Sequence, residues 1–182
     1  LVLTLNYKVV NIKKDYPIQS IDVPDDNISL DLGTIQRINM TVTPAASYAY
    51  QKVTAVAADP TIIEVMSFEG FDLPIRALKP GTTTITFSAY NDTQLVTKTV
   101  KVKVNDVLVS IVIDQNVGET YLLAGGTTTW TAKSYSLSGA LMSNVDLTWK
   151  SSNVSVATVV NGVITALKEG NTNITCLLYT SP

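Results

Sequence analysis

One stretch of sequence occurs twice in this chain, and the repetition constrains the fold more than any other feature. Val53-Thr54-Ala55-Val56-Ala57-Ala58-Asp59-Pro60-Thr61-Ile62-Ile63-Glu64-Val65 is followed by Ala77-Leu78-Lys79-Pro80-Gly81-Thr82-Thr83-Thr84-Ile85-Thr86. In the same order, Leu147-Thr148-Trp149-Lys150-Ser151-Ser152-Asn153-Val154-Ser155-Val156-Ala157-Thr158-Val159 is followed by Ala166-Leu167-Lys168-Glu169-Gly170-Asn171-Thr172-Asn173-Ile174-Thr175. The first blocks lie 94 residues apart and the second 89, a difference that fits an insertion around Ser67-Phe68-Glu69-Gly70-Phe71 in the first copy. A period of about 90 residues is too long for a solenoid repeat and matches a whole small domain. An array of like domains is expected, and with it a structural or adhesive role.

Val, Ile and Thr dominate, and apolar and polar residues alternate in Ile38-Asn39-Met40-Thr41-Val42, Ile85-Thr86-Phe87 and Val100-Lys101-Val102-Lys103-Val104. A period of two marks a half-buried strand. No window of helical length carries a 3.6-residue apolar stripe. Turn signals recur at Pro24-Asp25-Asp26-Asn27, Lys79-Pro80-Gly81, Tyr90-Asn91-Asp92-Thr93, Gly125-Gly126, Asn161-Gly162 and Lys168-Glu169-Gly170. Short strands between frequent turns make an all-β sandwich the expected fold class. Asn161-Gly162, between Val159-Val160 and Val163-Ile164, predicts a type I′ hairpin. Lys79-Pro80-Gly81-Thr82 predicts a type II turn with Gly81 left-handed.

Residues 1–17 read as the last strand of a preceding, mostly missing domain, residues 18–105 as a first domain and residues 106–182 as a second. The joint at Val104-Asn105-Asp106-Val107 is short and not Gly/Ser-rich, which should limit swing. Leu1 is not an initiator methionine, so the chain reads as a fragment and the lack of a signal peptide carries no information. Cys176-Leu177-Leu178-Tyr179-Thr180-Ser181-Pro182 coincides with one reading frame of a sequencing-library transposon end. Those seven residues are therefore expected to be adaptor-derived, leaving the second domain without its final strand; the competing reading is a genuine strand, since Leu-Leu-Tyr-Thr is good strand material.

With 46% apolar and 15% charged residues, each domain can bury a core. A net charge of −2 offers no general attraction to nucleic acid or an anionic membrane, and no apolar run approaches a membrane span. The chain has no histidine, which removes His-based triads and His metal ligands, and its single cysteine excludes an intrachain disulfide. Paired acids at Asp22 and Asp25-Asp26 lie in or beside a turn, where solvated turn formers are the ordinary case, so no catalytic residue is assigned. Calcium is the one cofactor worth weighing: Asp22, Asp25, Asp26 and Asn27 could supply oxygens at one turn, as could Asn91, Asp92, Asn105 and Asp106 near the domain joint, with Asp25, Asp26, Asn105 and Asp106 as the candidate ligands. The spacing matches no EF-hand or glycine-aspartate repeat. Trp149 and Trp130 are expected to face a core rather than stack on sugar. Tyr48 and Tyr50 read as loop-borne and available for contact. Five Asn-X-Ser/Thr sequons, at Asn27, Asn39, Asn91, Asn153 and Asn173, are attributed to the abundance of threonine.

The second copy carries the motifs Ala124-Gly125-Gly126-Thr127-Thr128-Thr129-Trp130-Thr131-Ala132, Leu147-Thr148-Trp149-Lys150-Ser151-Ser152-Asn153, Ser155-Val156-Ala157-Thr158-Val159, Asn161-Gly162-Val163-Ile164-Thr165-Ala166 and Leu167-Lys168-Glu169-Gly170. In these motifs the chain resembles the group 2 bacterial immunoglobulin-like domain of invasin- and intimin-type adhesins. The first copy departs at Ala55, where Trp149 stands in the second. The resemblance implies an all-β fold of tandem immunoglobulin-like β-sandwiches (Greek-key, antiparallel), and a non-enzymatic stalk or adhesive segment of a bacterial surface or secreted protein, extracellular or on the cell surface. Its partners would be neighbouring immunoglobulin-like domains and a host-cell protein or glycan, with no nucleic acid and no membrane insertion. The alternatives it implies are a phage virion attachment domain and an accessory domain of an extracellular carbohydrate-active enzyme.

Overall fold

A computed structural model describes residues 17–44, 53–90, 95–114 and 121–178. The chain divides into two compact units, Leu1–Asp106 and Val107–Pro182. Among the described residues none is helical.

The first unit contains β1 (Ser20–Asp22), β2 (Asn27–Asp31), β3 (Ile35–Asn39), β4 (Thr41–Thr43), β5 (Thr54–Ala57), β6 (Ile63–Val65), β7 (Asp72–Ala77), β8 (Gly81–Tyr90) and β9 (Leu95–Asn105). One layer is the sheet β2-β9-β8-β5; the other is β3-β7-β6, flanked by the pair β1-β4. The period of two decides which side chains meet between the layers. Thr83, Ile85, Phe87 and Ala89 of β8 and Val100, Val102 and Val104 of β9 point inward and are buried, against Ile38, Ile63, Leu73 and Ile75 of the other layer. This is an immunoglobulin-like sandwich.

One pairing departs from an all-antiparallel sandwich. β2 runs parallel to β9, from Asn27↔Lys101 to Asp31↔Asn105. The chain leaves β1 in one layer and enters β2 in the other through Val23-Pro24-Asp25-Asp26. Pro24 cannot donate a ladder hydrogen bond, so pairing stops there and the chain changes sheet without reversing direction.

The second unit contains β10 (Leu108–Asp114), β11 (Thr127–Thr129), β12 (Thr131–Ser136), β13 (Leu141–Met142), β14 (Leu147–Ser151), β15 (Ala157–Val160), β16 (Val163–Ala166) and β17 (Ile174–Leu178). Its sheets are β10-β12-β13, β11-β16-β15 and β14-β17. β17 continues through Cys176, Leu177 and Leu178, with Trp149 opposite Cys176. The sandwich is therefore built with a strand that includes three of the residues expected to be adaptor-derived.

The two units share a framework of turn hydrogen bonds. Gly33 N–H donates to the Ala77 carbonyl (3.2 Å), and Gly125 N–H to the Ala166 carbonyl (2.8 Å). Leu78 and Lys79 donate to the Ile62 carbonyl; Leu167 and Lys168 donate to that of Val156. Lys79-Pro80-Gly81 does not form the expected left-handed turn: Gly81 has φ 153° and opens β8. That φ is one that side chains rarely adopt, and a Cβ would also press on Ile62 Cδ1 at 3.0 Å; at Gly170 (φ 151°) it would lie 2.7 Å from Val156 Cγ2.

The cores differ. Nineteen apolar residues of the first unit are buried and only four described ones of the second, Val156, Ala157, Ile164 and Ala166. The reason is visible by superposing registers. Ala55 and Ala57 pair with Phe87 and Ile85 as Trp149 and Ser151 pair with Cys176 and Ile174, so β17 corresponds to β8. β8 is flanked by both β5 and β9, whereas β17 has only β14 beside it among the described residues.

Candidate functional site

The two groups of candidate calcium ligands stand at opposite ends of the β2–β9 ladder. Asp25 Oδ1 accepts the Asn27 N–H (3.0 Å), an Asx turn that opens β2. Asp26 forms an ion pair with Lys98, and its carbonyl accepts the Lys101 N–H (2.8 Å). Asp22 Oδ2 accepts the Ser20 hydroxyl (2.7 Å). Asn105 sits at the opposite end of the β2–β9 ladder, where its Nδ2 donates to Ser29 Oγ (2.9 Å) and Asp31 Oδ1 (3.3 Å). Four residues of strand separate the two ends, about 13 Å. Asp106 follows β9 directly. Among the described residues no group of three or more His, Cys, Asp or Glu could hold a metal ion. Asn91 and Asp92 lie outside the described residues, as do Tyr48 and Tyr50.

One exposed carboxylate is tuned by its neighbours. Asp59 Oδ1 accepts both the Thr61 hydroxyl (2.7 Å) and the Thr61 N–H (2.9 Å). The hydroxyl, then the N–H, then the charge of Lys79 hold this carboxyl below the usual carboxylate range. In the second unit Asn153 makes the same two contacts with Ser155 (2.7 and 3.2 Å) and carries no charge. A depressed folded-state pKa means stability that is present above the unfolded value and lost as pH falls through the folded one. Asp59→Asn keeps the acceptor oxygen but loses the charge, so it should lower the urea midpoint of the first unit slightly at neutral pH and flatten its decline below roughly pH 4, where the two proteins converge. Equal acid limbs for variant and parent would show that the Asp59–Thr61 contacts do not carry this linkage.

The parallel ladder of β2 and β9 is reinforced at both ends. Beyond its register pairs, it is closed at one end by the Asp26–Lys98 ion pair and the Lys101 N–H to Asp26 bond. At the other end Leu32 N–H donates to the Asn105 carbonyl (2.9 Å) beside the Asn105 side-chain bonds. This reinforcement was not visible in the sequence, because the pattern Asn27-Ile28-Ser29-Leu30-Asp31 alternates identically in parallel and antiparallel strands.

In the second unit the two layers leave an open cleft of ≈200 Å³. Leu122, Trp130, Ile164, Gly170, Thr172 and Ile174 are among the residues lining it. Trp130 and Trp149 face inward as expected but are only half-buried. Burial pushes the Cys176 thiol above its ordinary range. Lys168, Asn171, Thr128 and Thr172 line the cleft together with its apolar side chains, so it is a mixed polar and apolar surface.

A family model, the N-terminal beta-sheet domain of hyaluronate lyase, matches residues 140–177, which is well under half of the chain. No curated protein matches. Among solved structures, domains 4 and 5 of the S-layer protein SbsC share 20% identity over 79% of this chain and 78% of that one, with a TM-score of 0.40. The D00-D0 domain of intimin shares 16% identity over 89% and 94%, with a TM-score of 0.44. Human protocadherin-24 EC1-2 shares 14% identity over 90% and 94%, with a TM-score of 0.49. At these scores the likenesses carry no argument about function, and the family match covers only part of the second unit.

Proposed function

We propose that this chain is a non-enzymatic, load-bearing segment of an extracellular or cell-surface protein, built of two tandem immunoglobulin-like domains at residues 18–105 and 106–182. The observation that carries this reading is the parallel β2–β9 ladder. β2 lies near the start of the first domain and β9 at its end, so tension along the chain pulls them in opposite directions. Parallel strands loaded this way are sheared, and all ladder bonds share the force at once; an antiparallel hairpin pulled from one end would open bond by bond. The Asp26–Lys98 ion pair and the Asn105 side-chain bonds lie across the same seam. The shared turn framework supports the repeat, and the absence of clustered chemistry among the described residues accords with a mechanical role. Such a module serves an adhesin stalk that presents a contact surface to a host protein or glycan.

Pulling single molecules by their ends tests the reading. Two unfolding events are expected, one releasing about 300 Å for residues 17–105 and one about 250 Å for residues 107–178. The longer event should need the higher force, because the second domain has no counterpart of β9 among its described residues. The same force for both, or a lower force for the longer event, would sink the load-bearing reading. A second reading, an accessory domain of an extracellular lyase, is favoured by the partial family match at 140–177. It predicts that the chain retains hyaluronan on a solid support without shortening it.

A further inference from the structure

The β15–β16 turn joins two residues whose conformation and whose chemistry pull in opposite directions. Asn161-Gly162 is the one Asn-Gly pair in the chain; every other asparagine is followed by a residue with a side chain. An asparagine before glycine is prone to attack on its own side-chain amide, because nothing on the next residue shields the backbone nitrogen. The turn needs the same two residues for another reason: both take positive φ, 49° and 83°.

The folded hairpin blocks that reaction. In a type I′ turn the first central residue has ψ of about 30°, the mirror image of a type I turn. That angle sets the Gly162 nitrogen on the far side of the Cα–C bond from the Asn161 Cβ, whereas closing a succinimide ring needs both on one side. Asn161 is exposed, but Gly162 is buried, so hydroxide cannot reach the N–H that must lose its proton. Trp130 lies over it: its carbonyl oxygen would stand 2.2 Å from a Cβ at this glycine, and its N–H donates to the Gly162 carbonyl (2.9 Å). The corresponding strands of the first unit, β6 and β7, are joined by residues 66–71, which include no asparagine. Asn144 also has positive φ, 60°, but a β-branched valine follows it.

We propose that Asn161-Gly162 is a self-modification site that the folded hairpin keeps shut and that opening of the second unit releases. Once the turn is open, the Gly162 nitrogen loses its proton and bonds to the Asn161 Cγ; the Cγ–Nδ2 bond breaks, and ammonia leaves carrying that proton. Water then opens the succinimide. Attack at Cγ restores the ordinary backbone and leaves an aspartate side chain. Attack at the main-chain carbonyl carbon leaves isoaspartate, with the backbone routed through the side chain and one methylene longer. A two-residue turn with Val160 paired directly to Val163 has no room for the extra carbon, and the Gly162 carbonyl no longer meets the Trp130 N–H. Opening of the second unit is thereby written into a covalent bond, and the isoaspartyl chains stay open. This goes beyond the load-bearing reading and does not depend on it.

Incubation of the full chain in mildly alkaline buffer, with and without guanidinium chloride above the unfolding midpoint of the second unit, tests the site. Mass spectrometry of the tryptic peptide 151–168 locates ammonia loss at Asn161 or Asn153, and labelling by isoaspartyl methyltransferase reports the rearranged product. Reaction at Asn161 should be about tenfold or more slower in the folded chain. In denaturant it should outpace every other asparagine. Chains carrying isoaspartate at this position, separated and returned to buffer, should keep the tryptophan fluorescence of the unfolded second unit. Asn161→Asp has the charge without the extra methylene and should refold with a urea midpoint near that of the parent. Equal rates with and without denaturant, faster loss at another asparagine, isoaspartyl chains that refold like the parent, or an Asn161→Asp variant that stays unfolded would each overturn the proposal.

Discussion

Gly162→Ala should unfold the second unit under conditions where the parent is folded, while Gly125→Ala at nearly the same backbone angle should be tolerated. Asn161 and Gly162 form the β15–β16 hairpin with φ values of 49° and 83°, the two positive angles of a type I′ turn. An alanine at a left-handed position costs about 1–2 kcal/mol. At Gly125, with φ 83° and no atom within 4 Å of the place a Cβ would take, that is the whole cost. At Gly162 the Cβ would stand 2.2 Å from the Trp130 carbonyl oxygen and 3.5 Å from Trp149 Cζ2. The clash is with backbone, which has no rotamer to escape into. Relief requires the hairpin to part from the β11–β12 segment and break the Trp130 N–H to Gly162 carbonyl bond (2.9 Å). The total should exceed ~3 kcal/mol, a large share of what a domain with few buried apolar residues can hold. Both tryptophans of the chain, Trp130 and Trp149, lie in this unit, so urea titration followed by tryptophan fluorescence reads it alone. Equal midpoints for the two alanine variants would refute the steric argument.

What could be read from the sequence was local and periodic. Val100-Lys101-Val102-Lys103-Val104 became the inner stripe of β9, and Asn161-Gly162 became the hairpin, because each depends on residues a few positions apart. What could not be read depends on distant neighbours. The direction of β2 follows from a sheet change at Pro24, not from its own pattern. Gly81 reads as a left-handed turn glycine because Pro80 precedes it, yet it opens β8 at φ 153° with Ile62 against the place of its Cβ. Trp149 stands at a core position, but its burial depends on a neighbouring strand that the second unit lacks among its described residues.

The deepest long-range dependence is a size exchange across one strand pair, and it can be tested in the first unit. Ala55 faces Phe87 there, whereas Trp149 faces Cys176 in the second unit: small against large in one, large against small in the other. Phe87 is fully buried, and Ala55 packs against the same core. Phe87→Cys alone leaves a cavity and should cost about 3–4 kcal/mol. Ala55→Trp alone overfills the site and should cost about 1–3 kcal/mol. If the pair behaves as one packing unit, the double variant imports the arrangement of the second unit. The tryptophan then fills the space that Phe87 left, and the combined cost should fall below the sum by about 1–3 kcal/mol. Native-state hydrogen exchange of the β8 amides measures each variant without interference from the second unit. Strict additivity would mean that the two positions relax independently and that the reversal between the units is incidental. A negative coupling would show that positions 55 and 87 share one packing volume that either partner can fill.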